Sequence, residues 1–477
     1  MTRGYKDLQI RLLRVVLLRL KQPPSDIIKQ VNRLRKISIF DASIVLLVIF
    51  FAYISIHPFV AAIVGSSTGS FAPIKIWKDI LVALVAVGVI TYGVAKEGVR
   101  KKLLEDRLIW FAVLYSLLTL AVFITTQSYE NKAGFAGLIF NLRFIALFLI
   151  VRILMYGASK PGEKLAYIRS FLSKWVVVIA TAVALFGIAQ ALILPSDFMT
   201  HFGYNGVTTI SPVSTVDDNM DVRRAFSTLN DANEFGAYLI IPIVLSLERL
   251  IRTRKWQYLA SALIMVIGLY LSHSRGAFIG LIVALAIFCI PYIRNRLNRK
   301  TIALGITGLI ATFTVILFTA TVYPPARLAI FHSSPKDGSL IEGSTLDHFV
   351  ATKDGVKDVI THPFGRGVGE AGPASFYDTS DKKSRIAENY YVQIAQEVGL
   401  LGAVLFIATI VVGLRQVLST KNIAYSWSFF AGFIGVSVVA VFLHTWASDS
   451  VSYIAWGLLG IFLPLSFQNV ANKKVKH

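Results

Sequence analysis

Apolar runs of about 17–25 residues recur along the chain from residue 38 to residue 467, separated by polar stretches. A helix needs roughly that length to cross about 30 Å of hydrocarbon. The runs predict twelve spans, at about 38–64, 80–95, 108–126, 135–155, 173–194, 234–250, 257–271, 277–293, 301–323, 398–414, 425–446 and 450–467. The second, seventh and tenth are short. The expected fold is therefore an all-α integral membrane protein of about twelve transmembrane helices, with a large extracytoplasmic loop between the ninth and tenth. Its parts are a basic amphipathic segment (1–37), nine helices (38–323), the loop domain (324–397), three helices (398–467) and a tail (468–477).

Composition supports this picture: 55% of the 477 residues are apolar and only 16% charged. The net charge of +21 would suggest nucleic acid in a soluble protein. Here most Lys and Arg fall in the short segments on one side of the predicted spans, and basic loops are retained in the cytoplasm. The charge thus reads as topology and lipid contact, with both termini cytoplasmic and no nucleic-acid partner. Residues 1–22 place Arg3, Asp7, Arg14 and Lys21 on one helical face and Leu8, Leu12, Val15 and Val16 elsewhere. That pattern suits an interfacial helix on anionic lipid, ended by Pro23 and Pro24. The single cysteine, Cys289, lies inside a span and is expected as a small buried apolar residue.

Two outer segments are long, about 195–233 and 324–397, and loops of that length are more often functional or disordered than simple connectors. In the second, Ser344 and Asp347 fit a capping box. The apolar spacing of Leu346, Phe349, Val350, Val356, Val359 and Ile360 predicts a surface helix that His362-Pro363-Phe364-Gly365 ends. The run Gly367-Val368-Gly369-Glu370-Ala371-Gly372 spells a dinucleotide fingerprint. That fingerprint needs a preceding strand and a following helix; here Pro373 comes next and the segment is placed outside the membrane, away from nucleotide pools, so a glycine-rich turn is the better reading. Asp217, Asn219 and Asp221 match the start of a calcium loop, but Val222 replaces its glycine and Thr228 its glutamate. A solvated acidic loop is the plain alternative to a bound ion.

Four features carry candidate chemistry, each with a blander alternative. Arg224-Ala225-Phe226-Ser227-Thr228-Leu229-Asn230-Asp231-Ala232-Asn233 brings Arg224 to the outer face beside a helix N-terminus, which suits an anion; an Arg held by Asp221 or Asp231 is the alternative. Ser272-His273-Ser274-Arg275-Gly276 fills a tight outer turn. A positioned Arg there suits bidentate phosphate contact, against simple snorkelling. Glu388 and Asn389 stand just before the tenth span, where Glu388 can serve as a general base or as a helix-end carboxylate. Arg143, with Asn141 nearby, lies within the fourth span. An ionisable group at that depth marks function or an internal ion pair.

With these residues assembled, the chain resembles the O-antigen ligase and Wzy-type polysaccharide polymerase superfamily. Four patches carry the resemblance: Arg224 through Asn233, Ser272 through Gly276, His362-Pro363-Phe364-Gly365-Arg366-Gly367-Val368-Gly369, and Glu388 through Gly402. The resemblance implies a GT-C-like, metal-independent glycosyltransferase of the cytoplasmic (inner) membrane that uses no cofactor. Its donor would be a glycan on undecaprenyl diphosphate and its acceptor a glycan or glycolipid, among membrane lipids. By motif, Arg224 and Arg275 would hold the diphosphate, with Asn233, Ser274, Asn389 and Arg143 in support. Ligases of the family often carry His immediately before the Asn of the last patch, where this chain has Glu388. A carboxylate can still accept a proton from a sugar hydroxyl, and the change favours a polymerase over a lipid A-core ligase. The competing class is a transporter or flippase for a lipid-linked glycan. Transporters usually show internal repeats and paired broken helices, and no clear repeat is visible. A scaffold within a glycan-assembly complex is the third reading.

Overall fold

The structure, a computed structural model, describes residues 39–69, 71–157, 161–216, 219–294, 343–378, 385–419 and 424–464. The N-terminal basic segment, the ninth span at 301–323, loop residues 324–342 and the tail 468–477 lie outside the described residues. The chain divides into two units, 1–47 and 48–477. Of the first, residues 39–47 are described, and they are helical. The packing below concerns the second.

The helices are α1 (Ile39–Thr68), α2 (Phe71–Ala95), α3 (Glu97–Glu105), α4 (Arg107–Thr125), α5 (Lys132–Gly157), α6 (Pro161–Leu192), α7 (Ala232–Thr253), α8 (Gln257–Leu271), α9 (Arg275–Arg294), α10 (Gly343–Thr361), α11 (Tyr390–Ser419), α12 (Ser426–Val439) and α13 (Asp449–Phe462). Among the described residues, seven are long and apolar enough to cross a membrane: α1, α2, α4, α5, α6, α9 and α11. α8, α12 and α13 are shorter apolar helices. The outward faces of the long helices stay apolar: Leu84 and Val87 on α2 and Leu117 on α4 are 65%, 66% and 58% exposed. So much apolar surface in water would be a liability; lipid removes it. The protein is a multi-pass membrane protein.

Within the second unit, α9 packs along α12, α7 against α8 and α12, α5 against α2 and α13, and α4 against α11. The α9–α12 crossing depends on glycine. A Cβ on Gly280 would stand 2.7 Å from the Gly435 carbonyl oxygen, and one on Gly435 would stand 2.6 Å from that of Gly280. Small residues let backbones approach where no water drives helices together. At the head of α4, Asp106 caps the helix by accepting from Leu108 N at 3.1 Å. It also accepts from Arg152 at 2.9 Å, Tyr156 at 2.7 Å and Gln416 at 3.1 Å. Burial alone would raise the Asp106 pKa, but the Arg152 charge and these hydrogen bonds hold it below its ordinary value.

Several expectations need correction. α2 begins at Phe71, so Lys75, Lys78 and Asp79 sit in a helix and not in an outer loop. α11 begins at Tyr390, eight residues ahead of the predicted start, with a break at Gly399 (φ 84°). The apolar run at 425–446 is interrupted: α12 stops at Val439, and 440–448 leaves the α-helical path, with a short 3-10 helix at Thr445–Ala447, before α13. Arg275 opens α9, so the turn after α8 is shorter than five residues. The first outer loop is not wholly irregular, because β1 (Thr215–Val216) and β2 (Asn219–Arg223) form an antiparallel hairpin. Cys289 is exposed on α9 and not buried. The surface helix predicted before His362 appears as α10, with Val359 buried and Ile360 73% exposed.

Candidate functional site

The second unit holds a cavity of about 480 Å³ where α2, α5, the start of α7, the segment before α11 and the stretch before α13 converge. Its walls carry a cluster of buried charge: Lys78, Asp79, Arg143, Glu234 and Asp449. Lys78 Nζ lies 3.1 Å from both Asp79 and Asp449. Asp79 accepts from Tyr453 OH at 2.6 Å and faces Arg143 at 3.7 Å. Arg143 also donates to the Ala447 carbonyl, and its ring-side face covers Phe140. Glu234 accepts from Asn230 at 2.8 Å and from the Ser450 hydroxyl. Isolated charges are costly here, and pairing is what makes their burial tolerable.

Two caps fix the rims. Asp231 accepts from Asn233 N at 2.8 Å and Glu234 N at 2.9 Å at the head of α7. Asn389 accepts from Tyr391 N at 3.0 Å and Val392 N at 3.1 Å at the head of α11, so its role is that of a cap. Glu388 directly precedes it with φ +51°. A non-glycine residue in this left-handed region is uncommon and costs energy. Ser227 (φ +56°) and His273 (φ +50°) share the feature, and each lies in one of the patches singled out above. Glu388 lines the cavity opposite His444, with Oε2 3.9 Å from the imidazole Nε2. Burial raises the pKa of the nearby Tyr377 phenol, against an opposing pull from Arg143, so it stays neutral.

The predicted residues are only partly brought together. Glu388, Asn233 and Arg143 line the cavity. Arg224 and Arg275 do not. Arg224 reaches its edge through Asn233, donating to Oδ1 at 2.8 Å, and also donates to the Ser272 carbonyl at 2.9 Å. This bond joins the first two patches, and Gly236, just beyond the first, packs closely on Ser272 and Ser274. Arg275 is half-buried at the first position of α9. Ser274 is buried. The glycine-rich loop has a structural task. Gly137 on α5 lies so close to Gly369 that a Cβ would stand 2.5 Å from its nitrogen. Arg366 N donates to Gln396 O at 2.7 Å. The loop closes over Glu397, whose side chain accepts from Asn141 at 2.6 Å and whose backbone carbonyl accepts from Gly367 N at 3.2 Å. Among the described residues no group of three or more His, Cys, Asp or Glu is arranged to hold a metal ion; Asp217 and Asp218 lie outside them.

Residues 260–407 match the protein-family model described as O-Antigen ligase. Over this segment the chain is similar to the O-antigen ligase-type superfamily. No curated protein matches the chain at a significant level. The O-antigen ligase match covers α8, α9, α10 and the first part of α11, and so includes the turn at 272–276 and Glu388. It implies an enzyme that transfers glycosyl groups in membrane polysaccharide assembly, in the setting of lipid-linked glycans.

Lys75, Lys78, Asp79, Glu234, His444 and Asp449 all line this cavity and were not singled out from the sequence. One signal was present: Lys75, Lys78 and Asp79 follow i, i+3, i+4 spacing, which puts them on one face once α2 is extended. His444 offered none, because it ends an otherwise continuous apolar run.

Proposed function

We propose that the protein is a membrane glycosyltransferase of surface polysaccharide assembly. It moves a glycan from an undecaprenyl diphosphate-linked donor to an acceptor sugar, at the extracytoplasmic face of the cytoplasmic membrane. The supporting observation is the polar cavity that joins Glu388, within the matched segment, to Arg143 and Asn233.

In this reading the lipid tail lies along the apolar helices. Arg224 and Arg275 take the diphosphate, whose negative charge grows as the glycosidic bond breaks. Preorganised guanidiniums stabilise such charge strongly where water is excluded, and their planar forks meet two phosphate oxygens at once. A base centred on Glu388 takes the proton of the acceptor hydroxyl. The anomeric carbon–phosphate oxygen bond breaks, the new glycosidic bond forms, and the diphosphate leaves with the electron pair. One direct displacement inverts the anomeric carbon. No metal enters this scheme. Polymerase is the preferred specific activity, because Glu388 replaces the histidine of the resembled ligases.

Deletion in the source cells tests the choice. A polymerase reading predicts single repeat units accumulating on the lipid carrier. Full-length chains retained on the carrier would point to a ligase, and unchanged surface polysaccharide would count against the reading.

A further inference from the structure

His444 stands in the irregular stretch between α12 and α13, outside every patch that the sequence offered. Two hydrogen bonds hold this region against the head of α11: Tyr390 N to Ala440 O at 2.9 Å and Tyr391 OH to Ser437 O at 2.8 Å. The imidazole is oriented from behind, with Nδ1 2.8 Å from Gln393 Oε1. When Nδ1–H donates to that oxygen, Nε2 is the ring's basic nitrogen. Nε2 faces Glu388 Oε2 across 3.9 Å, and both residues line the same cavity. That separation is too long for a direct hydrogen bond, yet a single hydroxyl oxygen set to one side can lie about 2.8 Å from both atoms.

We infer that His444 Nε2 receives the proton of the acceptor's sugar hydroxyl, while Glu388 orients that hydroxyl and steadies the imidazolium that forms. The inference rests on the glycan-transfer reading above and deepens it by moving the proton-accepting atom from Glu388 to its neighbour across the cavity, His444. The step balances. The O–H proton passes to Nε2, and the oxygen's electron pair makes the bond to the anomeric carbon. The bond from that carbon to the diphosphate breaks, and its pair leaves with the diphosphate. The departure at position 388 then has a physical reading. Where the resembled ligases carry histidine at the head of α11, this chain carries a carboxylate and supplies an imidazole from the facing wall.

The test uses full-length protein in lipid nanodiscs, with lipid-linked oligosaccharide extracted from the source cells as donor. Binding of undecaprenyl diphosphate is measured separately. His444→Asn is expected to bind the lipid diphosphate normally and to lose about 10²–10⁴-fold in kcat, the usual contribution of a general base. Imidazole added to His444→Ala should restore part of the rate, in proportion to its free base. Combining Glu388→His with His444→Asn returns the imidazole to the other wall and should exceed His444→Asn alone. Wild-type kcat in His444→Asn overturns the inference. So does failure of both rescues in variants that still bind the lipid diphosphate. Absence of transfer by the wild type with a bound donor overturns the underlying reading instead. Should His444→Asn fail to fold, His444→Gln and the imidazole rescue decide the matter by the same criteria.

Discussion

Gly372 lies so close to Gln393 that a Cβ at residue 372 would stand 2.2 Å from the Gln393 amide carbon. Gln393 in turn holds His444 at 2.8 Å. Gly372 also has φ +64°, a conformation that costs an L-residue about 1–2 kcal/mol. The glycine-rich loop therefore shapes the cavity from behind. Gly372→Ala is expected to lower the unfolding temperature and to reduce transfer more than the stability loss explains, because Gln393 must move. Thermal unfolding and initial rates on the same preparation check this. An unchanged rate in a destabilised variant would detach the loop from the site.

Glu388→Gln keeps side-chain size and removes the carboxylate. Because Glu388 sits at the cavity wall and Asn389 does the helix capping, the fold should survive. Most activity should be lost, and glycan yield and chain length at matched protein level would show it. Undiminished output would leave Glu388 as a helix-end charge.

The loop is also tied down by charge. Asp358 on α10 accepts from Arg366 Nε at 2.7 Å and from Gln396 at 3.0 Å. Burial alone would raise its pKa, but these bonds outweigh it and hold the carboxyl below its ordinary value. A depressed folded-state pKa gives stability that is full above the unfolded value, about 3.9, and is lost as pH falls through the folded one. Asp358→Asn should therefore cost about 1–3 kcal/mol at neutral pH, the range for hydrogen bonds to a charged group. The gap to wild type should close below about pH 4. Unfolding temperatures of both proteins across pH 3–8 would reveal a gap that does not close, and with it a different anchor.

Topology is open to direct labelling. The distribution of Lys and Arg puts tags at residues 1, 160 and 477 in the cytoplasm and tags at 215 and 340 outside. Protease or thiol-reagent access to residue 340 from the cytoplasmic side alone would reverse the orientation and the side on which the reaction occurs.

Much of the helical frame was legible because long apolar runs have one solution in lipid. The seventh predicted span, 257–271, coincides with α8. The errors cluster where polar residues enter a helix and find partners that hydropathy cannot see. The first turns of α11 carry Gln393, Gln396 and Glu397, which depress any window average. Gln396 donates to Asp358, and Glu397 accepts from Asn141. Lys78 and Asp79 read as loop residues, yet Lys78 pairs with Asp449 and Asp79 accepts from Tyr453, both from the far end of the chain. Pairing over that distance has no local signature. The break before His444 was hidden for the opposite reason, since its flanks stay apolar throughout. Arg224, Arg275 and Glu388 stood out as charges beside helix ends, and the structure separates the two arginines from the cavity that Glu388 lines.

The most direct test of the account is transfer by the purified full-length protein from a lipid diphosphate-linked glycan, with and without EDTA. Wild type should form polymer or conjugate at the same rate in both. Arg224→Ala and Arg275→Ala should each lose on the order of 10²–10³ in rate, as removal of one electrostatic donor does. Lys at either position should be only partly tolerated. Activity lost with EDTA and restored by Mg²⁺ or Mn²⁺ would contradict the metal-free diphosphate clamp and redirect attention to Asp217, Asp218 and Asp221. Near-normal turnover in both alanine variants would contradict the assigned diphosphate site itself.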